Sequence, residues 1–363
     1  RKQRSITVKV DYQLGAFTRL SLGAMFADAF EDLKINYQTR VYTGRTVATL
    51  GSSGQPTGNG AILPGYTDKR TDVRAVSGSN FETTTSSNAF MDRTRRLQLD
   101  INDKRGRWQT DGSLSYSRSA VHLFSGQNGG DGGGGAFVTD VRGIGWTIDK
   151  STSEEYPVVT QTAGPSILDM SRYGNSQLTR LDGTRLGQVY VASLDTKIEL
   201  GESQRFWIKT GARWRRQESG ETVGSRRYTY VGADGVAGVN PATGVNDDDL
   251  TRFMIPGLRR TAAYGLGDIP FVHTASVGAD VEKNPTQWRE DVYFRESERL
   301  SGNRKVSEEV SAVYLMGNGR FGPLSLLGGA RVERTEVTGE GWARRFALTS
   351  ITDPVLRAAT EYG

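Results

Sequence analysis

Arginines on alternate positions of extended segments are the residues of this chain best suited to chemistry. Arg213 and Arg215 flank Trp214, and Arg331 and Glu333 flank Val332. In a strand, each such pair projects from the face opposite the apolar residue between them. Guanidinium groups grip carboxylates and phosphates through two parallel hydrogen bonds, so this set could capture an anionic ligand. The plainer account, and the favoured one, is an internal ladder, with cations and carboxylates pairing across strands or against a domain filling the space beside them. Arg216 follows the phase of Trp214, and Arg93, Arg95 and Arg96 crowd the end of another extended run, where lipid phosphates would suit them.

Other chemistry is thinly represented. His122 and His273 are the only histidines, and neither has a second ligand at metal spacing. Asn246, Asp247, Asp248 and Asp249 offer oxygen ligands but miss the alternating spacing and central glycine of a calcium loop, so a solvated acidic loop is expected. Gly129–Gly135 (GGDGGGG) lacks the Gly-Lys-Ser/Thr of a phosphate loop and is expected to be a plain glycine-rich loop. There is no Gly-x-Ser-x-Gly and no His-Glu-x-x-His, and cysteine is absent. No catalytic residue, cofactor or metal site is expected, and the chain is expected not to be an enzyme. The charge balance, 46 Lys+Arg against 41 Asp+Glu, is spread along the chain and gives no reason to expect nucleic acid as a partner.

The elements that must position these residues are β-hairpins, four of them, near 6–27, 95–118, 188–216 and 306–337. Ile6, Val8, Val10, Tyr12 and Leu14 alternate with polar residues, turn at Gly15–Thr18, and resume as Leu20, Leu22, Ala24 and Phe26. Leu97, Leu99 and Ile101 lead through Asp103–Arg107 to Trp108, Thr110, Gly112, Leu114 and Tyr116. Tyr190, Ala192, Leu194, Thr196, Ile198 and Leu200 lead through Gly201–Gln204 to Phe206, Ile208, Thr210, Ala212 and Trp214. In the fourth, Val310, Ala312, Tyr314 and Met316 are assigned to the apolar phase, followed by a turn at Asn318–Pro323 and Leu324, Leu326, Gly328, Ala330 and Val332. Period-two alternation marks strands with one apolar face.

Three details favour a membrane as the medium that face meets. The opposite face is heavily charged, as at Lys9, Asp11, Asp195, Lys197, Glu199 and Lys209. Trp108 and Tyr116, like Phe206 and Trp214, stand eight residues apart on one face, roughly 26 Å of strand, or roughly 20 Å when tilted by about 40°. That approaches the ~25 Å apolar band between the aromatic girdles of an outer-membrane barrel. Short turns also alternate with long connections, so residues 28–90, 120–186 and 218–290 are expected to be extracellular loops and the tight turns periplasmic. A mean hydropathy of −0.50 agrees, because half of each barrel strand is polar. The expected fold is therefore all-β: about eight antiparallel transmembrane strands, with a porin-like channel, a small complete barrel, or a soluble β-rich surface or carbohydrate-binding protein as alternatives. Because Ile6–Leu14 would run inward from outside, at least one strand is expected before it, and the chain is expected to be an arc of a larger barrel.

Glu308–Trp342 (EEVSAVYLMGNGRFGPLSLLGGARVERTEVTGEGW) resembles a hairpin of TonB-dependent outer-membrane receptors, with its Tyr-Leu strand, Phe-Gly-Pro-Leu turn and Gly-Gly-x-Arg-x-Glu-x-Thr strand. Val8–Asp32, with VDYQL and LSLGAMFADAFED, resembles an earlier hairpin of the same barrels. The middle hairpins are similar only in architecture and the loops not at all. The resemblance implies a 22-strand barrel, of which residues 1–363 are a part, closed by an upstream plug domain absent here. It implies energised import of a scarce ligand, an iron chelate (as in siderophore uptake), cobalamin or a glycan. The implied partners are the plug, the TonB complex, that ligand, and outer-membrane lipid and lipopolysaccharide. On this reading Arg213, Arg215, Arg331 and Glu333 face the lumen.

Overall fold

The computed structural model describes residues 1–44, 46–125, 135–201 and 205–362. Gly129–Gly134 of the glycine run and residues 202–204 of the third turn lie outside them. Nineteen strands occur among the described residues: β1 (Lys2–Leu14), β2 (Thr18–Tyr42), β3 (Thr49–Leu50), β4 (Pro56–Thr57), β5 (Arg70–Val73), β6 (Asn80–Arg105), β7 (Trp108–Ser125), β8 (Gly135–Arg142), β9 (Gly145–Asp149), β10 (Val158–Ala163), β11 (Gly174–Arg180), β12 (Asp182–Leu200), β13 (Phe206–Val223), β14 (Arg226–Tyr230), β15 (Met254–Ala262), β16 (Gly267–Val272), β17 (Trp288–Glu290), β18 (Arg304–Phe321) and β19 (Leu324–Gly341). Three short helices, α1 (Thr274–Lys283), α2 (Val292–Gly302) and α3 (Pro354–Glu361), complete an otherwise all-β chain.

The long strands β1, β2, β6, β7, β12, β13, β18 and β19 pair antiparallel, neighbour to neighbour in chain order. Each tight turn carries a glycine in the left-handed region, at Gly15, Gly106, Gly201 and Gly322, where a side chain would be strained. Among the described residues β1 pairs only with β2 and β19 only with β18, so the sheet is an open arc and does not close as a small barrel.

The strands outrun the hairpins expected from sequence. Asp28–Tyr42 and Asn80–Phe90, expected within one loop, continue the β2–β6 ladder to Tyr42↔Asn80, past a bulge between Asp32 and Ile35. At that height the sheet forks. Asn88–Arg105 of β6 pairs with β7, whereas Asn80–Ser87 pairs with β8, which leads through β11 and β14 to β17. The long connections thus fold into a head with its own core, including Phe81, Phe137, Trp146, Leu178, Phe271 and Trp288. Burying each such side chain contributes about 1.5–3 kcal/mol, which is why these stretches are ordered despite their polar composition.

The fourth hairpin departs from the expected phase. Val313 lies opposite Val332 and Leu315 opposite Ala330, while Tyr314 lies opposite Arg331 and Ala312 opposite Glu333. Directly paired residues share a face. Val310, Ala312, Tyr314 and Met316 therefore belong to the polar side, and the apolar face of β18 is Val313 and Leu315.

Candidate functional site

One face of the arc is apolar and bare. Val10, Leu22, Leu99, Leu114, Leu194, Val313, Leu315 and Val332 are all exposed. Register lays them in rows, such as Val10–Leu22–Leu99–Leu114 and Leu194–Ala212–Val313–Val332. Aromatic rings edge the field. Phe17, Trp108, Phe206 and Phe321 stand at the turn end, the last two 5.3 Å apart edge to face. Phe26, Tyr116, Tyr190 and Trp214 stand at the other end, with Tyr116 and Tyr190 at 4.9 Å. Shallow depressions of about 340 and 490 Å³ cross the field between these rows.

The opposite face is a network of paired charges. Arg19 meets Asp11 at 2.8 Å, Lys197 meets Glu199 at 2.9 Å, and Ser113 donates to Asp100 at 2.7 Å. The Tyr314 hydroxyl reaches over β13 to donate to Asp195 on β12. The strand between them has no side chain at the crossing point, Gly211, where an added Cβ would stand 2.6 Å from the tyrosine ring. This crossing was not legible, because Tyr314 read as part of the apolar phase.

Arg213, Arg215, Arg331 and Glu333 all line one cavity of about 380 Å³ on this face, with Glu308 and Thr335. Arg331 is held by Glu333, and Arg215 lies 3.5 Å from Glu308 while bonding Gln217. Among the described residues Arg213 has no acidic partner within ion-pair distance. The cavity thus combines a paired ladder with one unneutralised guanidinium, so both sequence readings retain a physical basis. Glu308 is the member that sequence reasoning missed; it lies directly opposite Gln217, two residues off register from Arg215 and therefore on the same face of the adjacent strand.

The remaining candidates take structural roles. His122 pairs with Asp182 at 2.8 Å, and His273 Nδ1 lies 2.9 Å from the Ser276 hydroxyl. In the acidic loop, Asp247 accepts from the amides of Ala233 and Asp234, and Asp248 from that of Gly238. Burial pushes the Asp248 carboxyl up. This run is therefore a folded, partly buried turn cluster, where the sequence suggested a solvated loop. No group of three His, Cys, Asp or Glu among the described residues could hold a metal ion. Arg96 bonds Gln98 on the polar face, whereas Arg93 and Arg95 follow the apolar phase of Leu97. No helix among the described residues is long and apolar enough to cross a membrane.

No family model matches the chain, and no curated protein matches it. Among solved structures, it is weakly similar to the outer membrane transporter YddB from Escherichia coli, with 7% identity, a TM-score of 0.13, and coverage of 93% of this chain and 55% of that one. It is also weakly similar to the alcaligin outer membrane receptor FauA from Bordetella pertussis, with 9% identity, a TM-score of 0.10, and coverage of 93% and 60%. The chain thus spans little more than half the length of either structure. Scores this low carry no argument, and the functional reading rests on the residues.

Proposed function

We propose that this chain is part of the wall and outer head of a TonB-dependent receptor in the bacterial outer membrane, which imports a scarce ligand without chemically altering it. The observation that carries the reading is the bare apolar face between two aromatic rows, backed by a face of paired charges. An aqueous protein rarely leaves so large an apolar field uncovered, whereas a bilayer solvates it and places aromatic rings at both interfaces. The field would meet lipid, and the charged face would meet a lumen and the plug filling it. Arg213, Arg215, Arg331 and Glu333 would contact that plug or an anionic ligand, and coupling to the TonB complex would run through upstream segments. The imported ligand would be an iron chelate, cobalamin or a glycan.

The test is conductance of the purified full-length protein in a planar bilayer, beside fractionation of cells. A plugged receptor resides in the outer membrane and stays nearly silent until the plug is removed. Steady open-channel current in the intact protein would make it a porin, and recovery in a soluble fraction would end the membrane reading.

A further inference from the structure

The main sheet of the head has two faces, and only one of them belongs to the core. Tyr37, Thr85, Phe137, Leu178 and Tyr228 lie opposite one another on β2, β6, β8, β11 and β14 and turn inward. The residues between them turn the other way. Gln38, Thr84, Val138, Gln177, Thr229 and Arg289 form one row across β2, β6, β8, β11, β14 and β17. Asn36, Ser86, Ala136, Thr179 and Arg227 form the next. Both rows keep the phase of Gln98 and Asp100 further along β6, so they prolong the wall's charged face beyond the fork.

Their chemistry is unlike the wall's. Apart from the arginine that ends each row, every polar side chain in them is an uncharged amide or hydroxyl. None of these has a hydrogen-bond partner within the protein among the described residues. Asn36, Gln38 and Gln177 are exposed and the others half-buried. Charge is confined to the margins and mostly spent there. Arg40 and Glu82 pair at 3.0 Å beside the first row, Asp140 accepts from Asn175 at 2.6 Å, and Arg227 lies 3.8 Å over the Phe294 ring of α2. Four residues along β6 from Ser86, Phe90 lies opposite Leu123, an apolar shelf on the same face. With strands about 4.8 Å apart, the longer row spans roughly 24 Å.

We infer that this face captures a neutral glycan chain, laid across the strands and leading down over Phe90 and Leu123 toward the wall. A sugar hydroxyl both donates and accepts, and so do amides and hydroxyls. An anionic ligand calls instead for guanidinium, which the middle of the rows lacks. Each exchange of water for sugar contributes little, so the length of the array supplies the affinity. The C–H face of a sugar ring suits the negative face of the Phe90 ring. The inference rests on the receptor reading and selects the glycan among its ligands.

The test titrates full-length protein in phosphatidylcholine nanodiscs, free of sugar-headed detergent, by isothermal titration calorimetry. The neutral probes are maltohexaose, laminarihexaose and mannohexaose, and the anionic ones hexagalacturonate and ferric citrate. At least one neutral probe should bind, and more tightly than either anion. Gln38→Ala/Ser86→Ala/Gln177→Ala should weaken that binding at least about tenfold through the lost hydrogen bonds. Thr160→Ala, on the exposed side of β10 across the core, should match wild type. Silence of all the neutral probes, tighter binding of an anion, or equal affinity in the triple variant would overturn the inference. Failure of wild type to enter nanodiscs, with glycan binding intact in aqueous buffer, would instead overturn the membrane reading alone.

Discussion

Gly211→Ala probes the tyrosine that crosses β13. The new Cβ would stand 2.6 Å from Tyr314 Cε1 and 2.9 Å from the Leu194 carbonyl, and would also press on the Asp195 carboxylate. The backbone carbonyl cannot move without breaking the β12–β13 ladder, so the ring must swing away and abandon Asp195. Overpacking costs typically about 1–3 kcal/mol, and a hydrogen bond to a charged group contributes about 1.5–3 kcal/mol. The two overlap because one movement relieves the first and forfeits the second. A loss of about 2–4 kcal/mol is expected, read as the shift in urea midpoint of the full-length protein in detergent. Tyr314→Ala should remove most of the penalty, so the double-mutant cycle should show a coupling of about 1–3 kcal/mol. Gly187→Ala, whose Cβ would meet nothing nearer than the Ser119 carbonyl at 3.9 Å, should change stability by less than about 0.5 kcal/mol. Additive effects of Gly211→Ala and Tyr314→Ala would refute the reasoning, since the penalty would then not arise from the crossing ring.

Three further outcomes follow from the same geometry. Thr243→Cys in the head should react with an impermeant maleimide on intact cells, whereas Lys104→Cys at a tight turn should react only after the outer membrane is opened; the opposite pattern inverts the topology. Leu22→Arg should cost about 2–4 kcal/mol if it sits near the bilayer midplane, and Ser115→Gln on the polar face should be mild, so equal sensitivity would mean that both faces are packed. Burial would raise the Glu361 carboxyl, but the Tyr293 hydroxyl, the Leu348 amide, Arg357 and Arg344 together hold it down at about 2. Because its folded value lies below the ordinary 4.5, its contribution to docking α3 on α2 is full above that value and fades as pH falls toward about 2. Hydrogen exchange across 354–361 should rise over that window in wild type but not in Glu361→Gln, and a pH-independent wild type would exclude the carboxylate as the clasp.

Three of the four hairpins were legible because most of their apolar residues fall in one phase, with few exceptions such as Met25, Val191 and Trp207 in the other. The fourth was misread at Val310–Met316, where apolar side chains occupy both phases and composition cannot choose. Pairing with Arg331 and Glu333 makes the choice, and that is a property of two strands. The same blindness hid the Tyr314–Asp195 contact, whose partners stand 119 residues apart. Parity alone put Arg213, Arg215, Arg331 and Glu333 opposite the apolar residues between them, but their meeting in one cavity depends on the pairing of β13, β18 and β19. The head was not, because its core draws on Phe81, Phe137, Leu178 and Phe271, none of which forms a long local pattern, and its helices are too short for periodicity to register. Asp291 and Asp353 cap α2 and α3 through their side chains, and neither cap was read from the sequence.

The fork in β6 has a mechanical consequence. One unbroken strand runs from the Asp103–Arg107 turn through the fork into the head, and the hydrogen-bonded ladder to β2 accompanies it for its whole length save one bulge. The head is therefore a cantilever whose root includes two continuous strands, β2 and β6, beside short joints at Leu181 between β11 and β12, at 224–225 between β13 and β14, and at Asn303 between α2 and β18. Rocking it requires sliding or twisting the β2–β6 pair, whose stiffness comes from a row of backbone hydrogen bonds acting in parallel. Force applied to the head from outside would reach the opposite end of the wall along β6 as one of its routes, and the bulge between Asp32 and Ile35 is where the β2–β6 register shifts.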